Sequence, residues 1–406
     1  MRQAFLFDMI TGRVGAPLDI PSFSWDITVA DSSLSTTKDK GFGQDSASGM
    51  TVPWTAVPGA SWEQKRRALT PLRTGLMVFD RTQRDVDEQK PGRPIVGGAI
   101  GLRKDSAWDT SFDLISPLGL LEHRYMVREG VYGTGANHTS TDVITLRNLS
   151  LRAIACEIGV QCTSRKPGGS LPIRWPYLGE KGAHERTYES WDIQNLSAAH
   201  LLDLLTNVDG GPDMQFRPTL SADGLYTGWD FIAAADADIY LGQAQVHELS
   251  YAPSGGTMED LTVDRLGPIQ RVYASGSGTD KAQITTMVEA LSLVEQTDPY
   301  PLWESTYSDS DTDKSDLLRA HARGVLDANR QPLMQISARV NTADCGGGTT
   351  PVHPLGSFWP GERFLLDIRG YPPLPDGRYE TRLMQMSGDK SDTVNLVFDV
   401  MEDAGT

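Results

Sequence analysis

Cysteine is scarce in this chain of 406 residues, limited to Cys156, Cys162 and Cys345. There is no CxxC pair and no histidine at zinc-finger spacing, so neither a disulfide framework nor a structural zinc site is expected. Cys156 falls in an apolar helical pattern, where a small buried residue is the ordinary meaning. Positive charge is in deficit, with 37 Lys and Arg against 53 Asp and Glu, a net −16. A wide phosphate-binding face needs clustered cations, so sequence-specific nucleic-acid binding is not expected. Long apolar runs are missing as well. The start, "MRQAFLFDMITGRVG", has only a short one before Asp8 and lacks a signal peptide's apolar region and cleavage site. No stretch reaches the ~18 apolar residues that cross a bilayer. The expectation is a soluble chain made in the cytosol, without a transmembrane segment. Without a secretory route, the glycosylation-like triplets at Asn137, Asn148 and Asn195 carry no meaning.

Catalytic signatures are also lacking. No G-x-S-x-G, H-E-x-x-H or G-x-x-x-x-G-K-[ST] occurs, so no nucleophile, metalloprotease or phosphate-loop chemistry is marked. "YGTGANH" and "GSGTDK" hold G-x-G without a third glycine at dinucleotide spacing and read as turns. No short-period repeat implies a solenoid. What is present is ordinary for a soluble globular protein: 39% hydrophobic and 22% charged residues. The length fits roughly two to four domains. Gly 40 and Pro 24 imply many turns and a β-rich chain.

Local patterns divide the chain. Residues 1–142 read as β. In "SFSWDITV", Phe23, Trp25 and Ile27 share one parity, which places them on one face of a strand. "TGLMVFDRTQRD" and "RPIVGGAIGLRK" are strands, with Gly97 and Gly98 marking a bulge or a close backbone approach. "SFDLISPLGLLEHRYMV" continues the β pattern, and the polar stretch 39–49 is a loop. Residues 143–210 are α-rich. Leu151, Ile154, Ala155 and Ile158 form one helical face, capped at Asn148 or Ser150. Leu201, Leu204, Leu205 and Val208 form another, stopped by Gly210 and Gly211. A second β unit follows from 211–280 and 331–406, opening with the hairpin "PDMQFRPTLSADGLYTGWDF". It is interrupted by 281–330, where "ITTMVEALSLVEQ" suits strand or helix. A helix near 315–329 there has Leu318, Ala322 and Val325 on one face and Ser315 as cap.

Few side chains form a recognisable chemical constellation. Asp309, Asp311 and Asp313 have the 1, 3, 5 spacing of a calcium loop, but Lys314 replaces its glycine and Ala320 its twelfth-position glutamate. They are the one metal candidate, beside the plainer reading of carboxylates preceding a helix N-terminus. His184, Glu185 and Glu189 can be drawn as an acid–base cluster or as a solvated irregular loop. Carboxylate pairs for glycoside hydrolysis are not singled out among the acidic residues. Trp175, Trp191, Trp229, Trp303 and Trp359 suit sugar stacking or, by default, packing. No catalytic or cofactor residue is assigned.

The order of the segments is more informative than any one of them. "FLFDMITGRV" leads to "SFSWDITVADSSLSTT", then "WTAVPGASWEQKRRALTPLRTGLMVFDR", "GRPIVGGAIGLRK" and "DLISPLGLLEHRYM". "HERTYESWDIQNLSAAHLLDLLTNVDGGPDMQFRPTL", "RVYASGSGTD", "YPLWESTYSDSDTDKSDLLRAHARGVL" and "LGSFWPGERFLLDIRGY…RYETRLMQMSGDKSDTVNLVF" follow. Over nearly the whole chain this resembles the minor tail proteins, or baseplate hub proteins, of long-tailed actinobacterial phages. The resemblance implies a β-rich α+β, multi-domain fold, with two tail-tube-like β-barrel domains and a helical middle region. It implies a structural, non-enzymatic virion protein at the distal tail tip, without cofactors. Such a protein forms a homotrimer ring that contacts the distal tail protein, the tape-measure protein and receptor-binding parts, and lines a DNA exit channel. Some relatives add a peptidoglycan-cleaving domain, which is not expected after "LVFDVMEDAGT". A hexameric distal tail ring and a host cell-wall carbohydrate-binding component are the alternatives. Acidic residues facing such a channel would repel DNA phosphates and let the genome slide.

Overall fold

A computed structural model describes residues 1–35, 50–132, 139–208, 210–279, 282–310, 312–348 and 350–403. The loop read at 39–49, Asn137 and most of "YGTGANH" lie outside the described residues. The chain is mostly β, built from several sheets with few helices. It divides into two compact units. The first is Met1–Glu248 with Arg339–Leu365 and Arg382–Leu396; the second is Leu249–Ala338 with Leu366–Thr381 and Val397–Thr406. Positions 142 and 210, expected as domain boundaries, both fall inside the first unit.

The first unit contains a six-stranded sheet in the order Val14–Leu18, Arg2–Asp8, Thr74–Asp80, Arg93–Asp105, Asp109–Ile115, Met50–Pro53. In Thr74–Asp80 the five residues between the two ends are buried, so both sheet faces are covered. This is why its sequence is a continuous apolar run and not an alternation. The neighbouring strand slips register opposite Val78 and Phe79, a β-bulge. A Cβ on Gly97 would collide with the Leu76 carbonyl oxygen, and one on Gly98 with that of Ile115. The two glycines therefore mark the close backbone approach, whereas the bulge falls nearby at Ile95, with Gly97 and Gly98 in regular register with Met77 and Leu76. Strand Ser24–Thr28 buries Trp25 and Ile27, with Phe23 buried just before it, and pairs with Gln385–Gly388.

One β expectation is corrected. Pro117–Glu122 is helical, because the Ser116 hydroxyl accepts from Gly119 N–H and Pro117 fits the first helical turn. Helix Leu151–Cys162 starts at Ser150, whose hydroxyl accepts from Ala153 N–H, and not at Asn148. It is buried on more than one side, and Gly159 leaves space for the Trp175 ring. Helix Ala198–Thr206 buries Ala198, Leu201, Leu202 and Leu205, whereas the expected Leu204 is exposed. Leu202 lies closer to the stripe set by positions 198, 201 and 205 than Leu204 does. Strands Met214–Leu220 and Thr227–Ala233 form the expected hairpin. Its turn uses Gly224 at φ +75°, and the Asp223 carboxylate accepts from Leu225 N–H.

In the second unit, strands Thr285–Glu289, Arg271–Ser275 and Glu304–Ser308 form a three-stranded sheet. Of "ITTMVEALSLVEQ", Thr285–Glu289 is strand and the remainder is turn or irregular. Helix Ser315–Asn329 packs Leu318, Ala322 and Leu326 against Val272, Ala274 and Val288. Leu326 takes the place expected of Val325, which is only partly buried. The cap position is Lys314, with no side-chain cap bond, so Ser315 is the first helical residue and not the cap. The strands expected after Leu333 are Leu333–Asn341, Arg363–Ile368, Gly377–Gly388 and Thr393–Glu402.

Candidate functional site

The aspartate candidates do not converge. Asp309 is taken up within its own unit: its Oδ2 accepts from the Thr312 hydroxyl at 2.6 Å and lies 3.0 Å from His321 Nδ1. Asp313 is exposed, and Asp311 lies outside the described residues. Among the described residues no group of three or more His, Cys, Asp or Glu is placed to hold a metal ion. "HERTYE" is strand His184–Glu189 and not an irregular loop. Alternation along it places His184 on the opposite face from Glu185 and Glu189, and each of the three has its own partner. His184 Nε2 is 3.2 Å from Asp236, Glu185 bonds Arg147 at 2.8 Å, and Glu189 accepts from the Trp191 indole N–H.

The three cysteines are free thiols. Burial pushes Cys156 and Cys162 each up to about 12, away from reactive thiolate. Of the tryptophans, Trp229 is 1% exposed and meets Phe7 edge-on at 5.7 Å, which makes it a packing residue. Trp175 is buried against Phe216 and Phe231. Trp191 and Trp303 are largely exposed.

A buried ionic cluster forms where strand Met214–Leu220 meets the turn before Arg363. Glu362 Oε1 accepts from Arg217 at 2.8 Å; its Oε2 lies 3.0 Å from His247 Nε2 and accepts Trp359 N–H at 3.1 Å. The Arg217 guanidinium also donates to Gln215 and lies over the Trp359 ring. His247 packs against Phe358 and Phe364. Burial alone would raise the Glu362 pKa, but the His247 bond, the Arg217 charge and the Trp359 N–H hold it below the usual carboxylate range. A carboxylate engaged on three sides is unsuited to exchange protons with a substrate; this one ties three separated chain segments together. Nothing local in the sequence marks it, since its side-chain partners His247 and Arg217 lie 115 and 145 residues away.

Arg217 and Trp359 border a cleft of about 790 Å³, lined also by Pro218, Pro351, Pro354 and Arg93. Of its polar groups, Arg93 donates to the Leu355 carbonyl at 3.0 Å, and Arg217 is held by Glu362.

No protein-family model matches the sequence, and no curated protein does. Among solved structures the chain is similar to three tail proteins. For the tail protein from Neisseria meningitidis MC58 the TM-score is 0.43 at 11% identity, covering 98% of this chain and 96% of that one. For the 43 kDa tail protein of prophage MuSo2 from Shewanella oneidensis it is 0.47 at 9%, covering 98% of each. For prophage tail protein gp18 from Listeria monocytogenes EGD-e it is 0.38 at 13%, covering 97% and 94%.

Proposed function

We propose that this chain is a structural protein of a phage tail, of the baseplate hub type. In this role it forms a homotrimer ring at the distal tip of a long tail and joins the tube to the tape-measure and receptor-binding components. It lines part of the DNA exit channel and acts by shape and stacking, without a reactive group. The observation that carries this role is the order of segments from "FLFDMITGRV" to "TVNLVF". The same segments supply core in the folded chain: Phe7, Trp25, Phe79, Leu326, Phe364 and Phe398 are all buried. They therefore encode architecture, as a building block requires.

Cryo-electron microscopy of purified tails tests the proposal. The expected result is this chain in a three-fold layer at the distal end. A six-fold layer supports the distal tail ring instead, and absence from the virion rejects a tail role. A lumen that is neutral or basic in the assembled ring counts against the DNA-sliding function of the acidic excess. The exposed indoles of Trp191 and Trp303 favour a second reading, a host cell-wall carbohydrate-binding component. A glycan array without binding disposes of it.

A further inference from the structure

A second opening of the first unit is a groove of about 790 Å³. Strands Arg2–Asp8 and Val14–Leu18, the loop ahead of helix Trp62–Ala68 and the last residue of that helix all contribute to its lining. Val14–Leu18 is the end strand of the six-stranded sheet, and its Gly15 and Ala16 are exposed. These two, with Pro58, Gly59 and Ala68, line the groove with small groups. Its volume lies within the range of about 300–1,000 Å³ found for ligand clefts.

The charges in this groove run against those of the chain. Its ionisable lining residues are Arg13, Arg73 and Asp8, one positive charge in excess, where the chain as a whole carries −16. Both arginines are exposed, and neither guanidinium hydrogen-bonds or ion-pairs with a described residue. In the same unit Arg81, Arg93, Arg103 and Arg217 are each bonded to a carbonyl or carboxylate oxygen. Asp8 does not take up the two free cations. Its Oδ1 already accepts from Thr11 N–H at 2.8 Å, the Thr11 hydroxyl at 2.9 Å and Ile10 N–H at 3.1 Å. Those bonds, the Thr11 N–H above all, hold its pKa below the usual carboxylate range, so it stays ionised. Exposed apolar groups adjoin the cations. Tyr226 pairs with Arg13 in an antiparallel bridge, and the Leu225 carbonyl accepts from Val14 N–H at 2.8 Å. Tyr226 is 46% exposed and Leu225 56%.

We propose that this groove binds an acidic, extended segment of a different protein, with carboxylates on Arg13 and Arg73 and an apolar side chain beside Tyr226 and Leu225. Two unpaired guanidinium groups in a concave site call for an anionic occupant. Arginine and tyrosine are also the side chains that dominate protein interfaces. A single small anion would leave most of the volume empty. A nucleic acid carries a charge at every residue and would set one against Asp8, whereas a peptide can place a neutral residue there. The contact is separate from ring closure and does not rest on the hub role.

Fluorescence anisotropy of the full chain with a short fluorescein-labelled peptide alternating glutamate and valine tests it. The expected result is saturable binding that weakens as salt rises, and none with the counterpart alternating lysine and valine. Arg13→Glu with Arg73→Glu is expected to weaken binding at least about tenfold. Ala16→Trp, which fills the groove without changing its charge, is expected to do the same. Lys314→Glu with Arg319→Glu makes an equal change in net charge at exposed positions of the second unit and should leave binding within about twofold. Thermal melting of all three variants should stay near wild type, since exposed positions contribute little to folding. No saturable binding of the acidic peptide overturns the inference, as does binding that ignores the groove variants or falls equally in the second-unit variant. Tighter binding of oligothymidylate, lost in the groove variants, overturns it in favour of nucleic acid. Self-association of the chain, seen by sedimentation velocity and lost in the groove variants, overturns it in favour of a second copy.

Discussion

Replacing Glu362 with alanine removes the acceptor shared by Arg217, His247 and Trp359 N–H. The carboxylate side chain is 11% exposed, and among the described residues Arg217 is left with Gln215 and the Trp359 ring. Breaking a buried pair by deleting one partner costs about 3–5 kcal/mol. Glu362→Gln keeps one accepting oxygen and is expected to cost about 1–3 kcal/mol. Arg217→Met combined with Glu362→Leu is expected to cost less than Glu362→Ala alone, because no uncompensated charge is left buried. The folded-state pKa of Glu362 is depressed, so its stabilisation is present above the unfolded value of about 4.3 and is lost as pH falls through the folded value. Chemical denaturation followed by tryptophan emission, repeated from about pH 5 downward, measures both effects. The wild-type advantage over Glu362→Gln should shrink on acidification. An alanine variant within about 1 kcal/mol of wild type, or an advantage that grows as pH falls, would refute the reasoning.

Four other outcomes are expected. Gly97→Ala and Gly98→Ala each push a methyl into a strand carbonyl and should cost about 1–3 kcal/mol, read by thermal melting. Trp229→Ala should cost about 3–5 kcal/mol, whereas Trp191→Ala should stay within about 0.5 kcal/mol. Leu318→Ala should loosen the second unit by about 2–5 kcal/mol, seen as faster proteolysis between residues 271 and 329. In the native chain a thiol reagent should modify Cys345 well before Cys156 or Cys162, and only denaturant should equalise them, as peptide mass mapping would show.

The elements that could be read from sequence are those whose signal is local. Phe23, Trp25 and Ile27 alternate within a few residues, Leu318 and Ala322 repeat at helical spacing, and Gly97-Gly98 interrupts an apolar strand. Pro117–Glu122 escaped because the β pattern of "SFDLI" runs directly into a Ser-Pro helix start. The Glu362 cluster was not legible, because its members meet only after distant segments have folded. Exposure is equally non-local. "SWEQKRRA" carries a capping box and a basic run, but only the folded chain shows that Trp62, edge-on to Trp54, stays largely exposed.

The pairing of Ser24–Thr28 with Gln385–Gly388 has a consequence for how the chain is made. At translation rates of ~5–20 residues per second, the first strand waits roughly 20–70 s for its neighbour to leave the ribosome. During that time Trp25 has no cover from that neighbour. A prematurely terminated product never acquires it and is open to chaperones and proteases. Synthesis thus acts as its own inspection step, since only chains read through Gln385–Gly388 can give Trp25 that cover.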